Sequence, residues 1–157
     1  MKSYHVIVVS LLVIALVAVG PVSAETNISG TITVNTTLGL TSPDPDGEYR
    51  VTGNLTVQAG AILTIEPGVL VTFNNYQGIY IGGSGGTSPG TLIADGTSAQ
   101  PITFTAASSA PGMCSGIRFR NTATDSSIMD YCIVEYGGYS GSSNIRILRQ
   151  YLQARPY

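Results

Sequence analysis

The sequence predicts an all-β chain wound as a right-handed parallel β-helix, a solenoid of about three coils. Three observations carry this prediction. The apolar pairs Leu55/Val57, Leu63/Ile65, Val71/Phe73 and Ile79/Ile81 recur every eight residues, each pair flanking one residue that faces the other way. Glycine, asparagine and proline punctuate the gaps at Gly53-Asn54, Gly60, Pro67-Gly68, Asn74-Asn75 and Gly78. The composition, with 19 glycines, no tryptophan and 10% charged residues, favours strands and turns over helices. A strand and turn of this length cannot bury its apolar face alone, so it must stack on copies of itself.

The elements follow in chain order. Residues 1–24 read as a secretory signal peptide: Lys2 supplies the positive start, residues 6–19 form an apolar helical stretch broken by Ser10, and Val22-Ser23-Ala24 is a small-residue cleavage pattern after Gly20-Pro21. That stretch is short for a spanning helix of ~20 residues, so any membrane contact runs through the signal segment if it stays uncleaved. Residues 25–48 form an N-terminal cap: Ile28, Gly30, Ile32 and Val34 alternate as a strand, and a loop over 38–47 ends in Pro43-Asp44-Pro45-Asp46-Gly47.

Residues 49–144 are the coils. If three eight-residue steps close a turn, a coil takes about 24 residues and Leu55 lies beneath Ile79. The next turn then uses Ile79, Leu92 and Ile102, and a third starts at Ile117 and includes Cys132 or Ile133. The inserts at 82–90 and 106–112 are small, flexible and suited to loops on the outside of the solenoid. Parallel coils need no chain reversal, and tight Asp-Gly turns of the hairpin type are scarce, at Asp46-Gly47 and Asp95-Gly96. The usual chirality of parallel connections makes the coils right-handed.

Four stretches carry a family resemblance. Residues 49–73, with the phrase Gly60-Ala-Ile-Leu-Thr-Ile-Glu-Pro-Gly-Val-Leu-Val-Thr-Phe73, resemble the N-terminal coils of right-handed parallel β-helix domains of secreted and surface proteins of bacteria and archaea. The segments 90–105, 115–119 and 130–138 continue the resemblance, which covers roughly residues 27–144. Cys114 stands where such proteins usually carry tryptophan. The resemblance implies the fold and an extracytoplasmic place, secreted or at the cell surface, and it says little about any one activity.

The tail 145–157 is off-pattern. It lacks glycine, and Ile145, Leu148 and Leu152 fall at helical spacing, which suits either a capping helix or a frame-shifted end of a truncated member of the family. Three of the chain's seven basic residues, Arg146, Arg149 and Arg155, lie in this tail. An unprotected last coil is also expected to support self-association through the open solenoid end.

Candidate functional residues are few. The formal charge of −2 supports no nucleic-acid role, and the one histidine, His5, falls in the signal segment. No cofactor or metal is expected: Asp44, Asp46 and Glu48 lack the ligand spacing of a calcium loop, and 82–90 lacks the Lys-Ser/Thr ending of a phosphate loop. Polysaccharide-cleaving chemistry needs clustered carboxylates with a base, and alternation about Ile117 and Phe119 lets one outer face gather Arg118, Asp130 and Glu135, with Asp125 and Arg120 near them in sequence. Those charges equally suit the polar outside of any solenoid, and the enzyme reading ranks below a structural or interaction module. Tyr80 lies between two inward residues and so faces outward, while Tyr76, Tyr136 and Tyr139 add aromatic surface near coil edges; Tyr80, Tyr136 and Tyr139 are the candidate contacts for cell-surface polysaccharide or for other surface proteins. Asn27, Asn35 and Asn54 head glycosylation tripeptides. Cys114 and Cys132 are a candidate disulfide in a secreted chain, against the preferred reading, implied by the resemblance, of Cys132 as a core residue of its strand. Amino-terminal sequencing of the exported protein should begin at Glu25; a start at Met1 would make the segment an anchor.

Overall fold

The computed structural model describes residues 25–41, 46–141 and 143–147. The signal segment, part of the acidic loop at 42–45 and the tail beyond Ile147 lie outside the described residues. Among the described residues twelve strands follow one another: β1 (Thr26–Ile32), β2 (Thr36–Leu38), β3 (Glu48–Val57), β4 (Ile62–Ile65), β5 (Leu70–Phe73), β6 (Gly78–Ile81), β7 (Thr91–Asp95), β8 (Ile102–Ala106), β9 (Gly116–Phe119), β10 (Ile128–Asp130), β11 (Cys132–Val134) and β12 (Ile145–Ile147). One short 3-10 turn, Tyr139–Gly141, interrupts them.

Each strand pairs in parallel with the strand one coil away, the signature of a β-helix. Leu55 pairs with Ile79 and Ile79 with Ile117, as the eight-residue arithmetic predicts. Leu92 stands over Leu63, and Cys132 over Ile102. The strands form three columns. One column runs from the C-terminal half of β1 through the C-terminal half of β3 to β6, β9 and β12; a second is β2, β4, β7 and β10; the third runs from the N-terminal halves of β1 and β3 through β5 and β8 to β11.

The ten-residue strand β3 joins the first and third columns into a single sheet. Glu48 to Val51 pair with β5, while Leu55 to Val57 pair with β6, so the strand turns a corner without ending. β1 follows it with a register shift between Ile28 and Gly30. Gly30, at φ 92, occupies a conformation that side-chain-bearing residues adopt at a cost.

The ladder extends past both expected limits. Thr36–Leu38, expected at the edge of a loop, is the first strand of the second column and pairs with β4. Ile145–Ile147, where the spacing suits the start of a helix, is instead a strand on β9 in register with Ile117 to Phe119. The physical reason is the open edge of β9: its backbone groups need partners, and parallel pairing supplies them where a lone turn of helix does not.

The core is the stack of inward residues. Val71, Phe104, Leu63, Leu92, Ile79, Ile81, Ile102 and Ile117 are fully buried, and Phe73 stacks on Phe104 with ring centroids 6.5 Å apart. Tyr49 is also fully buried in this row, and its hydroxyl donates to the Gly39 carbonyl (2.9 Å) and accepts from the Gly39 N–H (3.0 Å). This tyrosine ties the core to the segment that follows β2. Asparagine side chains complete the corners: Asn54 Oδ1 accepts from Gly78 N at 3.1 Å and Asn35 Oδ1 from Ile62 N at 3.0 Å. Tyr49→Phe should remove both bonds and leave the Gly39 groups unpaired, costing about 1–3 kcal/mol in urea unfolding; an unchanged midpoint would show that water takes over both contacts.

Candidate functional site

The outward rows of the three columns decide which side chains can act together. In the first column the register aligns Thr56, Tyr80 and Arg118. In the third it aligns Asn27, Arg50, Thr72 and Thr105, with Glu135 just beyond β11. Asp130 ends β10 beside Asp95 in the second column. The expected gathering of Arg118, Asp130 and Glu135 on one outer face therefore does not form. Each occupies a different column because the loops at 120–127 and at 131 place a corner between them, and alternation within one strand carries no information across a corner. Glu135 instead accepts from Thr105 Oγ1 at 3.2 Å, and Asp130 Oδ1 accepts from the following backbone N–H of Tyr131 at 2.9 Å.

What the first column does assemble is aromatic and cationic. The Arg120 guanidinium lies 4.5 Å from the centroid of the Tyr80 ring and that of Arg118 lies 5.9 Å from it. Arg120 is held by its own main chain, which donates to Ile81 O at 2.9 Å, and by Nη1 donating to Gly82 O at 3.2 Å. Two guanidinium groups against one ring make a surface with positive charge and an apolar face, suited to a planar or anionic partner. The pairing is readable from sequence once Ile79 is set against Ile117, since Tyr80 and Arg118 then coincide; the contribution of Arg120 is not, because it depends on the chain turning at the strand end.

The other candidate tyrosines lie at a corner, not on this strand. Tyr76 and Tyr139 bring their rings to 4.6 Å between centroids at 46°, and both are exposed. Tyr136 packs partly against the core. The three candidates Tyr80, Tyr136 and Tyr139 thus occupy distinct settings, with Tyr76 the actual companion of Tyr139. Beside Arg120, a depression of about 490 Å³ is lined by Gly83, Ser84, Gly85, Gly86, Asn121 and Thr122. The Gly-rich insert is stapled there to the next coil by Thr122 Oγ1 donating to Gly83 O at 3.0 Å and by Thr124 N donating to Gly90 O at 2.9 Å.

The model of a pectate-lyase-like β-helix domain matches residues 30–148. The chain belongs to the pectate-lyase-like β-helix family. No curated protein and no solved structure matches it. Membership of that family fits a carbohydrate-active or surface module. Among the described residues of this β-helix, no group of three or more His, Cys, Asp or Glu side chains is placed to hold a metal ion, and no helix is long and apolar enough to cross a membrane.

The candidate disulfide is not made: Cys114 and Cys132 are both free. Cys132 stands over Ile102 and aims its thiol at Asp130 O (3.3 Å) and Ala94 O (3.4 Å), while Cys114 lies buried before β9 with its thiol 3.9 Å from Glu135 O. The column register directs the two thiols at different carbonyls. Burial, with Asp130 and Asp95 adding to it, pushes the Cys132 thiol up to about 11, and burial raises Cys114 too. Both thiols are therefore protonated and slow to alkylate at neutral pH. A thiol raised on folding favours the folded protein below the free-thiol range and loses that advantage as pH rises through its folded value. Alkylation of native Cys132 should accelerate only as pH approaches about 11, followed by mass spectrometry of the labelled peptide; rapid labelling at neutral pH would show an open, ionised thiol.

Proposed function

We propose that this β-helix works outside the cytoplasmic membrane, secreted or at the cell surface, as a structural and interaction module whose contact surface is the first column around Tyr80. The observation that carries this reading is the pair of guanidinium groups on the Tyr80 ring, at 4.5 and 5.9 Å, on an outward face that no carboxylate of the Asp130 and Glu135 columns shares. A sugar ring or a flat peptide group stacks on such a surface, and the arginines add hydrogen-bond donors beside it. The exposed pair Tyr76 and Tyr139 supplies a second aromatic ledge. Cell-surface polysaccharide is the first partner class in this reading and another surface protein the second. The apolar signal-like stretch at 6–19 supports the extracytoplasmic place. Asn27, Asn35 and Asn54 are exposed and would accept glycan in a host that attaches it.

A carbohydrate-cleaving role is the second reading, favoured by the family to which the chain belongs. The two readings separate in one experiment. The chain is offered a panel of neutral and acidic polysaccharides, and retention and new reducing ends are measured together. Retention without new ends, weakened about tenfold by Tyr80→Ala or Arg120→Ala (~1.4 kcal/mol), is the expected result. Release of new ends, abolished by Arg118→Ala or Glu135→Ala, would replace the binding reading with the enzymatic one.

A further inference from the structure

Three turns stack at the corner between the third column and the first: the turn from β5 to β6, the turn from β8 to β9 and the turn from β11 to β12. Tyr76 lies in the lowest of them and Tyr139 in the highest. Their rings meet past the turn between, with centroids 4.6 Å apart and planes inclined at 46°, and the residues are 51% and 40% exposed. Both are hung from one dipeptide of the middle turn. The Tyr76 N–H donates to Met113 O at 2.7 Å and the Tyr139 N–H to Cys114 O at 3.0 Å, while Ser115 Oγ donates to Tyr76 O at 3.0 Å. Tyr76 holds φ 70, a left-handed conformation that needs such support. The main chain of the corner thus keeps two phenol rings in contact and open to solvent.

The other described tyrosines are placed differently. Tyr49 is fully buried with its hydroxyl bonded to Gly39, the Arg120 guanidinium covers the Tyr80 ring, Tyr136 packs partly against the core, and Tyr131, exposed at a different corner, forms no ring pair among the described residues. Contact between two accessible phenols is the arrangement that oxidative coupling requires. A haem peroxidase supplied with hydrogen peroxide removes one electron and the hydroxyl proton from each phenol. The two phenoxyl radicals join through a carbon–carbon bond between ring positions ortho to oxygen, and the hydrogens on those carbons shift to the oxygens, which restores both phenols. The two electrons and two protons removed reduce the peroxide to two waters. Rings already in contact couple within one chain, because held proximity replaces a bimolecular encounter. Such a bond would tie three stacked turns together, which the two free cysteines of the chain do not do.

We propose that Tyr76 and Tyr139 are a modification site, a pair set to form an intramolecular dityrosine bond under a peroxidase and hydrogen peroxide, and that the bond clasps successive coils of the solenoid. The test treats the dilute full chain with a haem peroxidase and hydrogen peroxide and follows dityrosine fluorescence, intact mass and thermal melting. Trypsin cuts at Arg50, Arg118, Arg120 and Arg146, so Tyr76 and Tyr139 leave on the separate peptides 51–118 and 121–146 unless they are joined. The expected product is a monomer lighter by two hydrogens, with those two peptides linked and a melting temperature higher by at least about 5 °C. Tyr76→Phe and Tyr139→Phe, which keep both rings, are each expected to abolish the link, while Tyr131→Phe leaves it intact. A link that survives Tyr76→Phe or Tyr139→Phe would overturn the proposal by assigning it to other tyrosines. Cross-linked dimers as the main product, no link at all, or a linked monomer that melts no higher than the untreated chain would overturn it as well.

Discussion

Everything in this protein depends on stacking in register. A coil of the solenoid has no core of its own; its inward side chains are buried only by the same positions one coil away, as Leu55 is by Ile79 and Ile79 by Ile117. A slip of one residue would turn each inward row outward, so the parallel pairing and the apolar rows enforce each other. The glycines mark where the coils come closest. A side chain at Gly78 would meet the Gly116 carbonyl at 2.6 Å, which leaves room only for hydrogen. Loops of quite different length are tolerated between the rows because they leave the ladder on the outside and return to it, as the insert after β6 does through its bonds to Thr122 and Thr124.

The corners carry the strain and project the rings. Ala59, Tyr76, Tyr131, Tyr136 and Ser140 all adopt positive φ, a conformation costing on the order of 1 kcal/mol or more for a residue with a side chain. Three of the five are tyrosines. At these corners the backbone turns from one column to the next, and a left-handed residue turns it within one position. The consequence for function is that aromatic surface appears at a corner, where Tyr76 meets Tyr139, as well as on the strand at Tyr80.

Chemistry was less legible than architecture, and particular residues show why. Tyr80 faces outward by simple alternation, and its pairing with Arg118 follows from the coil length. Arg118, Asp130 and Glu135 are close in sequence, yet two corners separate them, and the angle at each corner is set by backbone conformation that residue type does not encode. Cys114 and Cys132 lie a loop's length apart along the chain, but the register seats Cys132 on Ile102 and aims its thiol at Ala94 and Asp130. For the charged trio, proximity along the chain misled because a solenoid makes neighbours of residues a whole coil apart.

The sequence by itself determined the class of fold, the inward rows, the pairing of Leu55 with Ile79 and the outward face of Tyr80, because period-two alternation and turn residues are local properties of the chain. Only the tertiary structure decided that β3 turns a corner to join two columns, that Thr36–Leu38 and Ile145–Ile147 are rungs, that Tyr76 is the partner of Tyr139, and that Arg120 reaches the Tyr80 ring. Those features arise where one coil meets the next. Backbone groups at an open edge seek the nearest partner, and which partner is nearest is a property of the stacked solenoid and not of any single segment.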